Sequence, residues 1–297
     1  LTVVGLLMIP ALLGALVGLV VDSRLVTGAP AWMKPAKFAA SIGLYCLTLA
    51  WIFTFLPAWP RVRRIVGWTS AVVFIIEIAI IDLQAWRGTS SHFNTETTFD
   101  MVLFSTMGIA IFVQTLASTA VAVALWRQPF ADRALGWALR LGMSITIAAA
   151  STGVLMTNAT AAQLDELEAT GRLPRSGAHT VGAPDGGVGL PVTNWSVEHG
   201  DLRVPHFLGL HALQIIPLIA LSLPPRRWDQ AARVRLTIIA ATSHASLFTI
   251  LLWQALRGQT VVRPDAVTLA ALAAWAAATA GAIRLASSVP IARHRAR

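Results

Sequence analysis

Charge is scarce in this sequence. Of 297 residues only 12% are Asp, Glu, Lys or Arg, while 56% are hydrophobic. A soluble domain carries about a quarter charged residues, because its surface must suit water. The shortage argues against an ordinary water-soluble globule and points to lipid around much of the surface. Cysteine is nearly missing as well, with Cys46 the single one. That excludes a disulfide framework and a cysteine-rich metal motif; its apolar surroundings make it a core residue. No Walker loop, GxSxG elbow or HExxH pair occurs. The GAPDGGVGL stretch has glycines but neither Lys-Ser/Thr nor a strand–helix context. No internal repeat is convincing, although a four-plus-four division is compatible with the pattern.

A net charge of +9 would suit a nucleic-acid partner. The basic residues, however, form short clusters between apolar runs and no patch interleaved with aromatics. Membrane topology demands that distribution, so lipids are the expected partners and nucleic acid is not. Residues 1–20 have signal-peptide-like hydrophobicity, but no small-residue cleavage site follows, so they read as a retained helix.

Crossing a hydrocarbon core of about 30 Å takes roughly 20 apolar residues. Eight runs qualify: 1–21, 38–58, 67–86, 101–126, 134–157, 205–224, 232–256 and 266–289. The expected fold is all-α, a polytopic transmembrane bundle of about eight spans forming one domain over 1–297. Gly14 and Gly18 make a small-xxx-small pair suited to close helix contact. Trp32, Trp59, Trp68, Trp86, Trp126, Trp228 and Trp253 fall near run ends, as an interfacial belt would. Arg61, Arg63, Arg64, Arg127, Arg133, Arg140, Arg226, Arg227, Arg233, Arg235, Arg284, Arg293, Arg295 and Arg297 share one side. They make up fourteen of the 23 basic residues. The positive-inside rule then puts both termini in the cytoplasm and the long 158–204 connection outside, in a bacterial cytoplasmic membrane. Its first part, AAQLDELEATGRL, has helical character, and the rest is an apolar-studded loop too long to be a mere connector.

The reactive side chains gather on that outer side. His92, His179, His199, His206 and His211 lie there or just below, beside the MKPAKF and SSHFNTETTFD segments. The densest stretch, EHGDLRVPHFLGLH, holds Glu198, His199, Asp201, Arg203, His206 and His211. Imidazole and carboxylate donors together suit zinc, copper or iron, with His92, His199, His206 and His211 as candidate ligands. His206 and His211 are five apart, about 140° around a regular helix, so they would not chelate one ion together. His92 is expected to meet His199 or His206. Thr97 or Thr98 is expected to cap the fourth helix.

Glu77 and His244 fall inside apolar runs, where an ionisable side chain is a functional hypothesis by default. Both are expected near mid-depth, with Asp82 and Gln84 continuing a polar line outwards. Haem b is the specific cofactor expectation: axial histidines from facing helices, with His211 and His244 as one pair and His206 with His92 as another. Arg203 and the Lys34/Lys37 pair would hold propionates or an anionic head group.

Eight spans and a Gly-rich loop running through GVGLPVTNWSVEHGD into HFLGLH resemble haem A synthases, eight-helix membrane enzymes with histidine-ligated haem. The likeness covers about forty residues. No histidine stands in the second or eighth span and no His-Arg pair opens a helix, so no residue role is carried over. The whole chain is also similar to bacterial multi-span integral membrane proteins, which implies no activity.

The function expected is therefore a membrane-embedded metal or haem protein, an oxidoreductase or other metal-dependent enzyme with a lipid-soluble or outer-side substrate. Glu77, Asp201 and Glu198 would supply acid–base groups. The alternatives are a proton- or ion-coupled transporter using Glu77 and His244, and a structural or sensory membrane protein.

Overall fold

A computed structural model describes residues 1–288. The last residue of the eighth expected run and Arg293, Arg295 and Arg297 lie outside the described residues.

The chain is nearly all helix. α1 is Thr2–Val21, α2 Met33–Phe53, α3 Pro60–Arg87, α4 Thr98–Arg127, α5 Arg133–Ser151, α6 Gly153–Thr157 and α7 Ala161–Thr170. After the long connection come α8 (Arg203–Leu210), α9 (Ala212–Leu221), α10 (Gln230–Leu256) and α11 (Ala266–Ser288). Two tiny antiparallel pairs, Leu25–Val26 with Ala29–Pro30 and Thr180–Val181 with Gly200–Asp201, brace the connecting segments. Seven helices are long and apolar enough to cross a membrane, or eight if the bent pair α8–α9 is one span.

Local chemistry sets the helix ends. Pro60 at N1 starts α3, where its missing N–H costs nothing, and Gly88 ends it in the left-handed region at φ 73°. Thr97 caps α4, its hydroxyl accepting from the Asp100 amide at 3.1 Å. Thr160 and Gln163 form a reciprocal capping box on α7, the helix anticipated in the long connection. α2 and α3 start at Met33 and Pro60, earlier than the apolar runs at 38 and 67. The helical ladder needs no apolar side chains, so it continues through Lys34, Lys37, Arg61, Arg63 and Arg64.

The sixth expected span is broken. The fifth is only locally irregular: α5 passes at Thr152 into the single turn of α6, and Arg133–Thr170 remains one stretch long and apolar enough to span. The α8–α9 pair bends by 40° at His211, so His206 and His211 do not share one regular helix. Side chains from two neighbouring helices explain this bend. His244 Nε2 of α10 donates to the Leu208 carbonyl at 2.9 Å, and Thr146 Oγ1 of α5 donates to the Leu210 carbonyl at 3.1 Å. Side chains inserted into the i→i−4 ladder are a recognised cause of kinks.

Packing follows chain order. α1 lies on α2, α2 on α3, α3 on α4 and α4 on α5; α8, α9 and α10 gather around α5, and α11 touches α10. Leu49, Ile52, Leu56, Leu125, Leu139, Met143 and Leu213 form the largest core, where the two groups of helices meet. Outer faces are apolar too: Val20 is 86% exposed and Leu285 72%. Such an exterior suits lipid and not water. Of the small-residue pair, Gly18 does make close contact, but with a loop side chain: an added Cβ would lie 2.4 Å from the Trp32 ring. Gly14 has nothing within 4 Å.

Candidate functional site

One end of the bundle carries the 22–32, 88–97, 158–202 and 257–265 connections, and these pack on one another. Thr95 N donates to the Pro174 carbonyl at 3.0 Å, and Thr260 Oγ1 to the Ser196 carbonyl at 3.0 Å. At Gly28 (φ 75°) a Cβ would come within 2.7 Å of the Gly186 carbonyl, so the 27–28 turn can close on the long connection only with glycine there.

Beneath these connections lies a cavity of about 130 Å³. Its wall includes Lys34, Lys37, Arg175, Arg203, His179 and His199, with Asp185 as its carboxylate. Lys34 and Lys37 come from the first turns of α2, an end with no acidic residue and no side-chain cap. Cations at a helix N-terminus oppose the macrodipole, typically by about 0.3–1 kcal/mol each.

Behind Lys34 stands His92. Lys34 Nζ donates to His92 Nδ1 at 2.9 Å, and Ser91 Oγ lies 3.2 Å from the same nitrogen. With Nδ1 accepting, the ring proton sits on Nε2, which faces Glu77 Oε1 at 3.7 Å. Burial, and then the neighbouring Lys34 and His179, push the His92 imidazole well below the usual histidine range, so the ring is neutral at pH 7. Glu77 is 2% exposed, and among the described residues its Oε2 has no hydrogen-bond partner. An unpartnered buried polar atom costs on the order of 1–3 kcal/mol, and taking up a proton or a partner removes that cost. Glu77 lies ten residues from Arg87, about 15 Å along α3.

His179 stands apart from this line, edge-on to Phe93 with ring centroids 4.8 Å apart. Its Nδ1 lies 2.7 Å from Asp185 Oδ2. Burial pushes His179 down against the pull of Asp185. Burial would raise the Asp185 carboxyl, but the bonds from His179 and from the Thr180 and His179 amides hold it well below the usual carboxylate range.

The other expected residues are spread out. Asp201 is buried and engaged by Arg203, at 2.6 Å, and by the Ser196 amide at 2.8 Å; it organises the loop. Arg203 also donates to the Asn194 carbonyl at 2.5 Å. Glu198 is exposed. His199 lines the cavity, whereas His206 Nδ1 donates to the Ala149 carbonyl at 2.9 Å. His211 Nδ1 meets Gln214 Oε1 at 3.3 Å, and His244 clasps the helix break. Gln84 belongs to a separate network with Arg87 and Asp100 that secures the start of α4. Among the described residues no three His, Cys, Asp or Glu side chains are grouped to hold a metal ion.

No protein-family model, curated protein or solved structure matches the chain. The chemistry is therefore read from the site alone.

Sequence reasoning missed two features. Lys34 serves as the partner that orients His92, and the hairpin at 25–30 and Arg175 help build the cavity wall. The signal for the first was present in MKPAK, where two lysines open an apolar helix against the dipole.

Proposed function

We propose that the protein is an integral membrane enzyme whose outer-side cavity admits a substrate for acid–base chemistry, with Lys34, His92 and Glu77 as its proton line. The observation carrying this reading is the Lys34–His92–Glu77 succession, which leads from the cavity to a buried carboxyl group with an unpartnered oxygen. A proton passing from the Lys34 ammonium to His92 Nδ1, as Nε2 releases its proton to Glu77, leaves Lys34 a neutral amine. That amine faces the cavity and can take a proton from a substrate, so Lys34 is the catalytic residue and Glu77 the proton store. The 3.7 Å between His92 and Glu77 exceeds a direct hydrogen bond; transfer requires a small ring movement or one bridging water. The outer placement follows from the arginine bias.

Infrared difference spectra across a pH step test the proton line, with Glu77→Gln identifying the carboxyl band. His92→Gln is expected to slow or shift the response of that band. A Glu77 band indifferent to pH, or to His92, would refute the reading.

A transporter is the second reading, supported by polar groups deeper in the bundle. Gln114 Nε2 donates to Tyr45 Oη at 3.2 Å, Tyr45 Oη lies 2.9 Å from Ser118 Oγ, and Ser70 Oγ is buried without a partner among the described residues. Proton-coupled flux in sealed vesicles that Glu77→Gln abolishes would select it.

A metal or haem is the weaker proposal because four cationic side chains line the cavity, which disfavours a bound cation there. An absorption spectrum with elemental analysis decides: a Soret band, or about one metal per chain, would reinstate it.

A further inference from the structure

The cavity carries more positive charge than its own carboxylate balances. Asp185 is occupied by His179 and two backbone amides, and Asp201, outside the cavity wall, by Arg203. Among the described residues Lys34, Lys37 and Arg175 have no carboxylate oxygen within 4.0 Å. Lys37 Nζ instead donates to the Thr193 carbonyl at 3.0 Å, and Lys34 Nζ to the neutral His92. Each ammonium therefore keeps further N–H donors beyond its one protein acceptor.

One helix beginning adds to this field. α2 starts beside the cavity without a side-chain cap, whereas the first amide of α8, Arg203 N, already donates to Asp201 Oδ1 at 3.0 Å. N-terminal ends favour anions, yet the first turns of α2 carry Lys34 and Lys37. One occupant satisfies both that helix end and the unpaired cations.

We propose that this cavity binds the oxyanion of a small ligand, a carboxylate or phosphate group, through Lys34, Lys37 and Arg175, with Arg203 closing the far side. The volume, about 130 Å³, is well above the ~10–15 Å³ that a single water needs on the same measure, so it has room for such a group. The charged group can arrive free from the aqueous side or as the head of an anionic lipid. This assignment rests on reading the same cavity as the substrate entrance, and it names the substrate class: a proton donor bearing a carboxylate or phosphate. Lys34 then both holds the anion and exchanges its proton.

Equilibrium dialysis of labelled inorganic phosphate against the full chain tests it, with acetate as competitor. The protein is held in nanodiscs of phosphatidylcholine alone or with phosphatidylglycerol. Free phosphate retained in neutral discs, displaced by acetate and not by equal chloride, supports a soluble oxyanion. Retention abolished by phosphatidylglycerol supports the same site holding a lipid head group. Lys34→Gln, Lys37→Gln and Arg175→Gln are each expected to weaken binding by about tenfold or more. Lys37→Arg should preserve it, and the exposed Arg172→Gln should leave it unchanged. Arg175 lies in a connection outside the helices, so its variant keeps the test open if Lys34→Gln does not fold.

No phosphate retained in neutral discs would overturn the proposal. So would binding unaffected by all three substitutions. The two readings fail separately: binding lost from the results above while the Glu77 carboxyl still responds through His92 removes the anion site alone. Anion binding with an unresponsive Glu77 removes the proton line alone.

Discussion

Lys34 Nζ and His92 Nδ1 lie 2.9 Å apart, joining the first turn of α2 to the connection between α3 and α4. Because an ammonium only donates, the contact selects the imidazole tautomer that carries its proton on Nε2, towards Glu77. Histidine ¹⁵N shifts are expected to show that tautomer in the wild-type protein and a mixture in Lys34→Met. A wild-type ring protonated on Nδ1 would contradict the arrangement.

Acid should destabilise the folded chain through the same group. His92 and His179 are held below their ordinary values, chiefly by burial, so below about pH 6.5 the unfolded chain binds protons that the folded one refuses. Stability is then full above that pH and falls as pH drops through and below it. Thermal unfolding from neutral to mildly acidic pH checks the sign, and His92→Gln should flatten the slope.

The bend at His211 gives a structural expectation for His244. His244→Ala leaves the Leu208 carbonyl without its side-chain donor and should cost on the order of 1–3 kcal/mol. Thr146→Val, removing the bond to Leu210, should cost about 1 kcal/mol. The two clasp one break, so a double-mutant cycle should show coupling and not simple addition. Phosphate retention in the cavity should survive His244→Ala; its loss there would mean that the break and the cavity are linked.

Gly209 lets α8 approach α5 and α10. A Cβ there would lie 2.4 Å from Ala149 Cβ and 2.9 Å from Phe248 Cδ2. Gly209→Ala should therefore destabilise by about 1–3 kcal/mol through overpacking. Ala149→Gly in the same chain should restore part of that loss, as measured by unfolding in detergent.

Much of the fold was legible in the sequence. Apolar runs of spanning length mark the helices, and Thr97, Thr160, Gly88 and Pro60 mark ends whose chemistry is local. The α8–α9 break was not legible, since its cause is a pair of side chains on α5 and α10 that reach carbonyls 64 and 36 residues away in sequence. The expected meeting of His92 with His199 or His206 gave way to Lys34 and Glu77 for a similar reason. A connection can be assigned to one end of a bundle from topology, but which way its imidazole turns depends on the cations and carboxyl groups that packing brings within reach.

By itself, the sequence determined the helical class, the approximate number of helices long and apolar enough to cross a membrane, and the polar end of the bundle. Each depends on composition or on contacts within a few residues. Tertiary structure alone decided that Lys34, His92 and Glu77 form one line, that Lys34, Lys37, Arg175 and Arg203 share one cavity, and that His244 holds a helix break. These pairings require the rotation and depth of each helix relative to its neighbours. Such parameters are set by the summed packing of buried side chains such as Leu49, Leu139 and Leu213, and no local pattern encodes them.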